Sequence, residues 1–223
     1  MTTTSTSPPS SSSWTALGAA RVRWTGRSEG HLGLGASADA RRAVHDGEWA
    51  WLRQVHGATV RVVPGTPAGS VGDALVSSAT GVALVVVTAD CAPVMFSSDA
   101  GVIAAAHGGW RGLHEGVVAA TVTAMRARGA RTITAALGPC IRPCCYEFGP
   151  ADLETMARRF GPGVVATTTW GSAALDVPAV VRSDLDRLGV GLVEHGACTA
   201  CGSGWFSHRA RRDTERQASL VVQ

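Results

Sequence analysis

Between residues 82 and 106 the chain is made of three short apolar runs, 82–88, 93–97 and 101–106, separated by turn signals. Buried strands are roughly 4–8 residues long, whereas a helix generally needs 10–12 or more. The spacing therefore predicts three adjacent strands. Helical spacing begins just beyond them. Apolar residues at 113, 117, 118, 122 and 125 fall on one face of a helix over 113–128, and Gly129 stands where a left-handed residue closes it.

Further helices are expected over 39–46, 152–160 and 178–188, the last with Pro178 in its first turn. Residues 21–25 read as an edge strand, 49–55, 59–63 and 132–137 as strands, and 190–193 and 219–222 as closing strands. Residues 64–72 form a Pro/Gly loop. This mixture predicts an α+β fold with mixed sheets. No repeat period is visible, and 223 residues suffice for one large domain with ample core.

All 20 basic side chains are arginine, and lysine is absent. That removes Schiff-base nucleophiles and the P-loop lysine. A bound phosphate must then be held by arginine, helix N-termini or backbone amides. A net charge of +3, with arginines scattered apart from 209–212, argues against a nucleic-acid partner. No apolar run approaches the roughly 20 residues of a membrane span. Residues 1–13 have neither a basic nor an apolar signal region and read as a disordered tail before a single catalytic domain at 14–223. The expected location is the cytoplasm, with the six cysteines reduced.

Three segments carry residues that bind soft divalent metals: Gln54-Val55-His56-Gly57, Thr88-Ala89-Asp90-Cys91 and His107-Gly108-Gly109-Trp110-Arg111-Gly112. Side chains at the ends of neighbouring strands can converge, so His56, Cys91 and His107 are candidate ligands of one ion. Three protein ligands with an open fourth position describe a catalytic zinc. Taken singly, each residue reads first as a hydrogen-bonded histidine or a small core thiol. Copper is the other candidate, because two His, one Cys and an axial Met make a blue-copper set. Met95, however, reads as core, and the seven histidines include no His-x-His pair of the multicopper kind.

The glycine-rich segment after His107 opens a helix, where free amides and Arg111 can hold an anion. The alternative is a tight turn with Trp110 packed and Arg111 solvated. Arg53 and Arg209 are further candidates for the same anion. Glu147, Asp90 and Asp73 are candidate general acids or bases, each with a capping role as its alternative. Cys140, Cys144, Cys145, Cys198 and Cys201 have spacings unlike a zinc knuckle and are expected in loops lining the main site. A structural four-thiolate zinc, or a Cys198/Cys201 redox dithiol, is the alternative. The zinc-deaminase signature is absent. A different chemistry would use Cys91 as nucleophile and His107 as base in a hydrolase or deamidase. A metal-binding protein without turnover is a third reading.

The chain resembles the YfiH-like family of laccase-domain proteins, described both as multicopper polyphenol oxidases and as purine nucleoside phosphorylases. The likeness runs from about Arg21 to the C-terminus. Its most specific pieces are Arg53-Gln54-Val55-His56-Gly57, Asp73-Ala74-Leu75-Val76, Thr88-Ala89-Asp90-Cys91, His107 to Gly112, Gly138-Pro139-Cys140-Ile141, Cys145-Tyr146-Glu147, Cys198-Thr199, Phe206-Ser207-His208-Arg209 and Arg216-Gln217-Ala218-Ser219.

The resemblance implies a layered α/β/β/α fold and one zinc on His56, Cys91 and His107. It also implies a cytoplasmic enzyme that phosphorolyses adenosine, inosine and methylthioadenosine and deaminates adenosine. Nucleoside and phosphate would be its partners. The sequence departs from the family at Gly33-Leu34-Gly35, where Asn-Leu-Gly is usual, at Gly108 in place of Ala and at Arg142 in place of Gly.

Overall fold

The computed structural model describes residues 13–223, so the expected tail lies outside the described residues apart from Ser13. The chain opens with β1 (Thr15–Leu17), β2 (Ala20–Trp24), α1 (Ala38–Val44), β3 (Glu48–Trp51), β4 (Val60–Val63) and β5 (Ala74–Ser77). The apolar centre forms β6 (Val82–Thr88), β7 (Ala92–Ser98) and β8 (Ile103–Gly108). Then come α2 (Trp110–Glu115), α3 (Val117–Arg126), β9 (Ile133–Leu137), α4 (Pro150–Phe160) and the hairpin β10 (Val165–Thr167) with β11 (Ala173–Leu175). The chain ends with α5 (Val177–Arg187), β12 (Gly191–Glu194), the single turn α6 (His208–Arg211) and β13 (Gln217–Val222).

Two mixed sheets stack. One has strand order β1-β2-β13-β6-β3 and the other β12-β9-β7-β8-β5-β4. Leu84, Val86 and Val221 of the first meet Leu75, Met95 and Ala105 of the second in a core between them. On the far side of the second sheet, Val94, Phe96 and Ala104 pack on Val118, Val122 and Met125 of α3 and on Val180 of α5. On the far side of the first, Val85 and Leu220 cluster with Val44 of α1 and with Leu32. Alternate residues of one strand thus serve opposite cores, as the two-residue period requires. With both faces covered the strands read as unbroken apolar runs. Full burial of side chains such as Phe96 and Met95 contributes about 1.5–3 kcal/mol each. The result is the α/β/β/α layering expected of an α+β chain.

Several expectations need correction. Residues 82–88 are not adjacent to 93–97: β6 belongs to the first sheet, whereas β7 pairs with β8 and β9 in the second. The chain crosses between sheets at the turn holding Asp90 and Cys91, and a strand buried on both faces carries no mark of its sheet. Strand β2 is not at an edge, because the three-residue β1 flanks it. The supposed closing strand 219–222 lies inside the first sheet, between β2 and β6.

The strand over 49–55 stops at Trp51. Beyond it, the Gln54 side chain replaces a strand partner, donating from Nε2 to Val87 O at 2.8 Å and accepting from Val87 N at 2.9 Å. The helix over 113–128 is two helices, broken at Gly116, whose φ of 95° is left-handed. Among the described residues no helix is long and apolar enough to cross a membrane.

Candidate metal centre

Strand register assembles the site. In the β7/β8 ladder Ala92 faces Gly108 and Pro93 faces His107, so Cys91 lies just beyond the end of the ladder beside His107. In the β5/β8 ladder Ala74 faces Ala106, which sets Asp73 beside His107 from the other side. His107 N donates to Asp73 O at 2.7 Å and closes that end.

Asp73 is almost wholly buried and organises two of the three donors. One carboxylate oxygen lies 2.9 Å from His107 Nδ1. An ionised carboxylate only accepts, so Nδ1 carries the hydrogen and Nε2 is left free to bind. The same carboxylate accepts from the backbone N–H of Val55 at 3.1 Å, His56 at 2.8 Å and Gly57 at 2.9 Å. These bonds hold His56 at φ 63°, a left-handed conformation that a non-glycine residue keeps only when its surroundings fix it. Burial opposes ionisation of Asp73, but the His107 bond and the Gly57 and His56 amides hold its pKa below the usual carboxylate range.

The glycines after His107 make room for this loop. A Cβ on Gly109 would overlap the His56 ring, and one on Gly112 would come within 2.7 Å of Gly57 O. Cys91 follows Asp90, itself at φ 97°. The Asp90 carboxylate is fixed by Thr199 Oγ1 at 2.7 Å and Arg209 N at 2.6 Å. Each oxygen takes one of these bonds and keeps further acceptor capacity, and Asp90 lines the same cavity as Cys91.

The His56 and His107 rings meet edge to face at 4.8 Å, and Cys91 Sγ is 3.7 Å from His56 Nε2. One donor atom from each of His56, Cys91 and His107 lies within 4.8 Å of the others. Two neutral imidazoles and a thiolate on that scale suit a zinc-sized cation with a fourth position left open. Burial alone would raise the Cys91 thiol, but His107 and then His56 outweigh it, and the pKa falls to about 6. Burial would likewise lower His107, yet Cys91 and Asp73 raise it to about 9.

The three donors open into a cavity of about 670 Å³, within the roughly 300–1,000 Å³ usual for small-molecule sites. Arg111 and Arg209 both line it. The Arg111 guanidinium lies 4.4 Å from the Trp110 ring centroid and that of Arg209 4.9 Å from the Tyr146 ring centroid. Helix α2 has only six residues, so its start gives a weaker anion site than a long helix would, and the arginines carry the positive charge.

Arg53 does not line the cavity, although its neighbours Leu52 and Gln54 do. It sits on an extended segment bridged to Val71, where alternation turns it away. Glu147 also lies outside and accepts from Trp170 Nε1 at 3.0 Å. His31, Gln54, Tyr146 and Arg216 line the cavity but were not among the expected site residues. Gln54, Tyr146 and Arg216 stood inside recognisable motifs. His31 had no such signal and is placed by Arg216 N, 3.1 Å from its Nδ1.

The cysteines correct a further expectation. Ile141 and Tyr146 line the cavity, but Cys144, Cys145, Cys198 and Cys201 do not. Their four sulfurs gather separately, all within 4.8 Å of one another. Cys140 is buried apart, and burial pushes its thiol up to about 12.

Residues 36–223 match a family model described as multi-copper polyphenol oxidoreductase laccase. Over 179 residues the chain is 42% identical to purine nucleoside phosphorylase SCO2081 of Streptomyces coelicolor, covering 77% of this chain and 73% of that protein. It is 38% identical over 176 residues to purine nucleoside phosphorylase YfiH of Escherichia coli, covering 77% and 72%. The crystal structure of hypothetical protein YfiH from Bacillus licheniformis superposes with a TM-score of 0.81 over 92% of each chain, at 23% identity, and shares the fold.

Proposed function

The chain belongs to the YfiH-like family of laccase-domain proteins, and on that footing we propose that it is a zinc-dependent purine nucleoside phosphorylase. Its substrates in this reading are adenosine, inosine and methylthioadenosine with inorganic phosphate, and it also deaminates adenosine. One observation carries the reading. A single cavity is lined both by the His56/Cys91/His107 donors and by two guanidiniums laid on aromatic rings. Relatives named as purine nucleoside phosphorylases at 42% and 38% identity supply the substrate class.

His56, Cys91 and His107 would hold the ion. When bound, zinc supplies Lewis acidity, which polarises oxygen and makes water a usable nucleophile near neutral pH. Arg111 and Arg209 hold phosphate by bidentate hydrogen bonds. A phosphate oxygen then attacks the sugar anomeric carbon as the bond to the purine nitrogen breaks; the purine leaves with the bonding electron pair and takes up the proton that hydrogen phosphate gives up. Cation–π contact with the Trp110 and Tyr146 rings restrains the two guanidiniums, so the nucleophile is positioned before reaction. Burial, with Cys91 adding to it, raises the Tyr146 hydroxyl to about 12, so it stays a neutral hydrogen-bond donor. Asp73 holds the His107 tautomer and the His56 loop. The setting in this reading is the cytoplasm, where cysteines remain reduced.

Incubation with adenosine, phosphate and zinc tests it. Adenine with ribose 1-phosphate, and inosine, are expected; neither free base nor inosine under any condition rejects it.

A second reading has its own support. Without metal, the lowered Cys91 and the raised His107 form a thiolate–imidazolium pair near neutral pH, with the Asp73 carboxylate orienting the ring. A hydrolase or deamidase would use Cys91 to attack a carbonyl or amidine carbon. Zinc occupancy that protects Cys91 from alkylation excludes it. A copper oxidase needs more imidazoles, since His56 and His107 are the only histidines in the potential metal clusters of the described residues.

A further inference from the structure

We propose that Cys144, Cys145, Cys198 and Cys201 bind a second soft divalent cation, zinc in the reducing cell, as a closed structural site distinct from the cavity. The sulfur of Cys201 is 3.1 Å from that of Cys145 and 3.3 Å from that of Cys144, and Cys144 is 3.7 Å from Cys198. Sulfurs around a tetrahedral zinc with bonds of about 2.3 Å stand roughly 3.8 Å apart. Four mutually adjacent thiols therefore need only small movements to share one ion.

Four thiolates around a divalent ion leave two negative charges. Arg142, two residues before Cys144, brings positive charge. Its Nη1 faces Glu194 at 3.5 Å, while Nε and Nη2 are buried without a partner. Binding releases the thiol protons to solvent and involves no redox change.

The site would clamp two loops that frame the cavity. Cys140 and Cys198 form a backbone bridge, with Thr199 N donating to Cys140 O at 3.1 Å. The first loop continues to the cavity residues Ile141 and Tyr146. On the second loop, Thr199 hydroxyl donates to Asp90, the neighbour of Cys91. A metal at the four cysteines thus fixes the wall without touching substrate.

Metal content of the full chain, purified under reducing conditions, tests this without activity. Two zinc equivalents per chain are expected, falling to one in Cys201→Ser and in Cys144→Ser. Cobalt substitution of the wild-type chain adds a readout that needs no variant. Thiolate-to-cobalt absorption should be about fourfold stronger for the four-cysteine site than for the site with one cysteine. One zinc equivalent in the wild type, with these four thiols freely alkylated, overturns the proposal. So does a disulfide among them in the natively reduced protein, or a second cobalt no more intensely coloured than a one-thiolate site.

Discussion

His107 Nδ1 and the Asp73 carboxylate stand 2.9 Å apart because β5 and β8 pair with Ala74 opposite Ala106. The same carboxylate receives the amides of the His56 loop. One buried acid therefore fixes the tautomer of one donor and the backbone of another.

Asp73→Asn should weaken zinc at the His56/Cys91/His107 site by about 10–100-fold, the usual effect of removing a carboxylate behind a metal-bound histidine. The asparagine NH2 would face amide N–H groups that now have an acceptor. Competition against a chromophoric chelator measures the affinity. Urea unfolding of the chelated protein should show an additional loss of about 1–3 kcal/mol from the unsatisfied amides.

Gly109→Ala should empty the same site while leaving the fold intact, because its Cβ would overlap the His56 ring on a loop rather than in the core. Circular dichroism unchanged from wild type, together with lost zinc, is the expected pair of results. Full zinc occupancy would show that the His56 loop gives way easily.

The metal-stripped protein should show a reactive Cys91. Burial raises the thiol but His107 outweighs burial, so the thiolate is present above about pH 6 and is lost below it. The carboxymethylation rate of the Cys91 peptide, followed by mass spectrometry, should have its midpoint near pH 6. In the unfolded chain the midpoint should return toward the ordinary value of 9.0. Added zinc should suppress the reaction across that range.

Arg111→Ala and Arg209→Ala should each raise the KM for phosphate at least about tenfold, equivalent to about 1.4 kcal/mol. Nucleoside binding without phosphate should change little. Arg111→Lys should not restore phosphate binding, because an ammonium lacks the planar fork that grips phosphate bidentately. Arg53→Ala should leave both constants near wild type, since that residue does not line the cavity.

Much of the fold was legible because its causes are local. The run at 82–88 and the helical spacing at 117–125 are short-range patterns, and both became elements at nearly those positions. The assignment of β6 and β7 to different sheets was not legible, because their two-sided burial looks the same in either sheet. Nor was the break at Gly116, where apolar spacing runs on across a left-handed turn. At the site, residue type nominated His56, Cys91 and His107. Arg53 read as a further phosphate candidate beside Arg209, but only Arg209 lines the cavity.

The sequence by itself determined which chemistry was available: two imidazoles and a thiol beside glycines, arginine as the one strong cation, and cysteines in excess of one site. These follow from covalent structure and from periodicity within a few residues. Only the tertiary structure decided which of those groups meet. Asp73 reaches His107 through a ladder spanning 34 positions, and Cys144 reaches Cys198 across 54. Such pairings are set by the register of strands and the packing of loops, which depend on the whole core and leave no local trace in the chain.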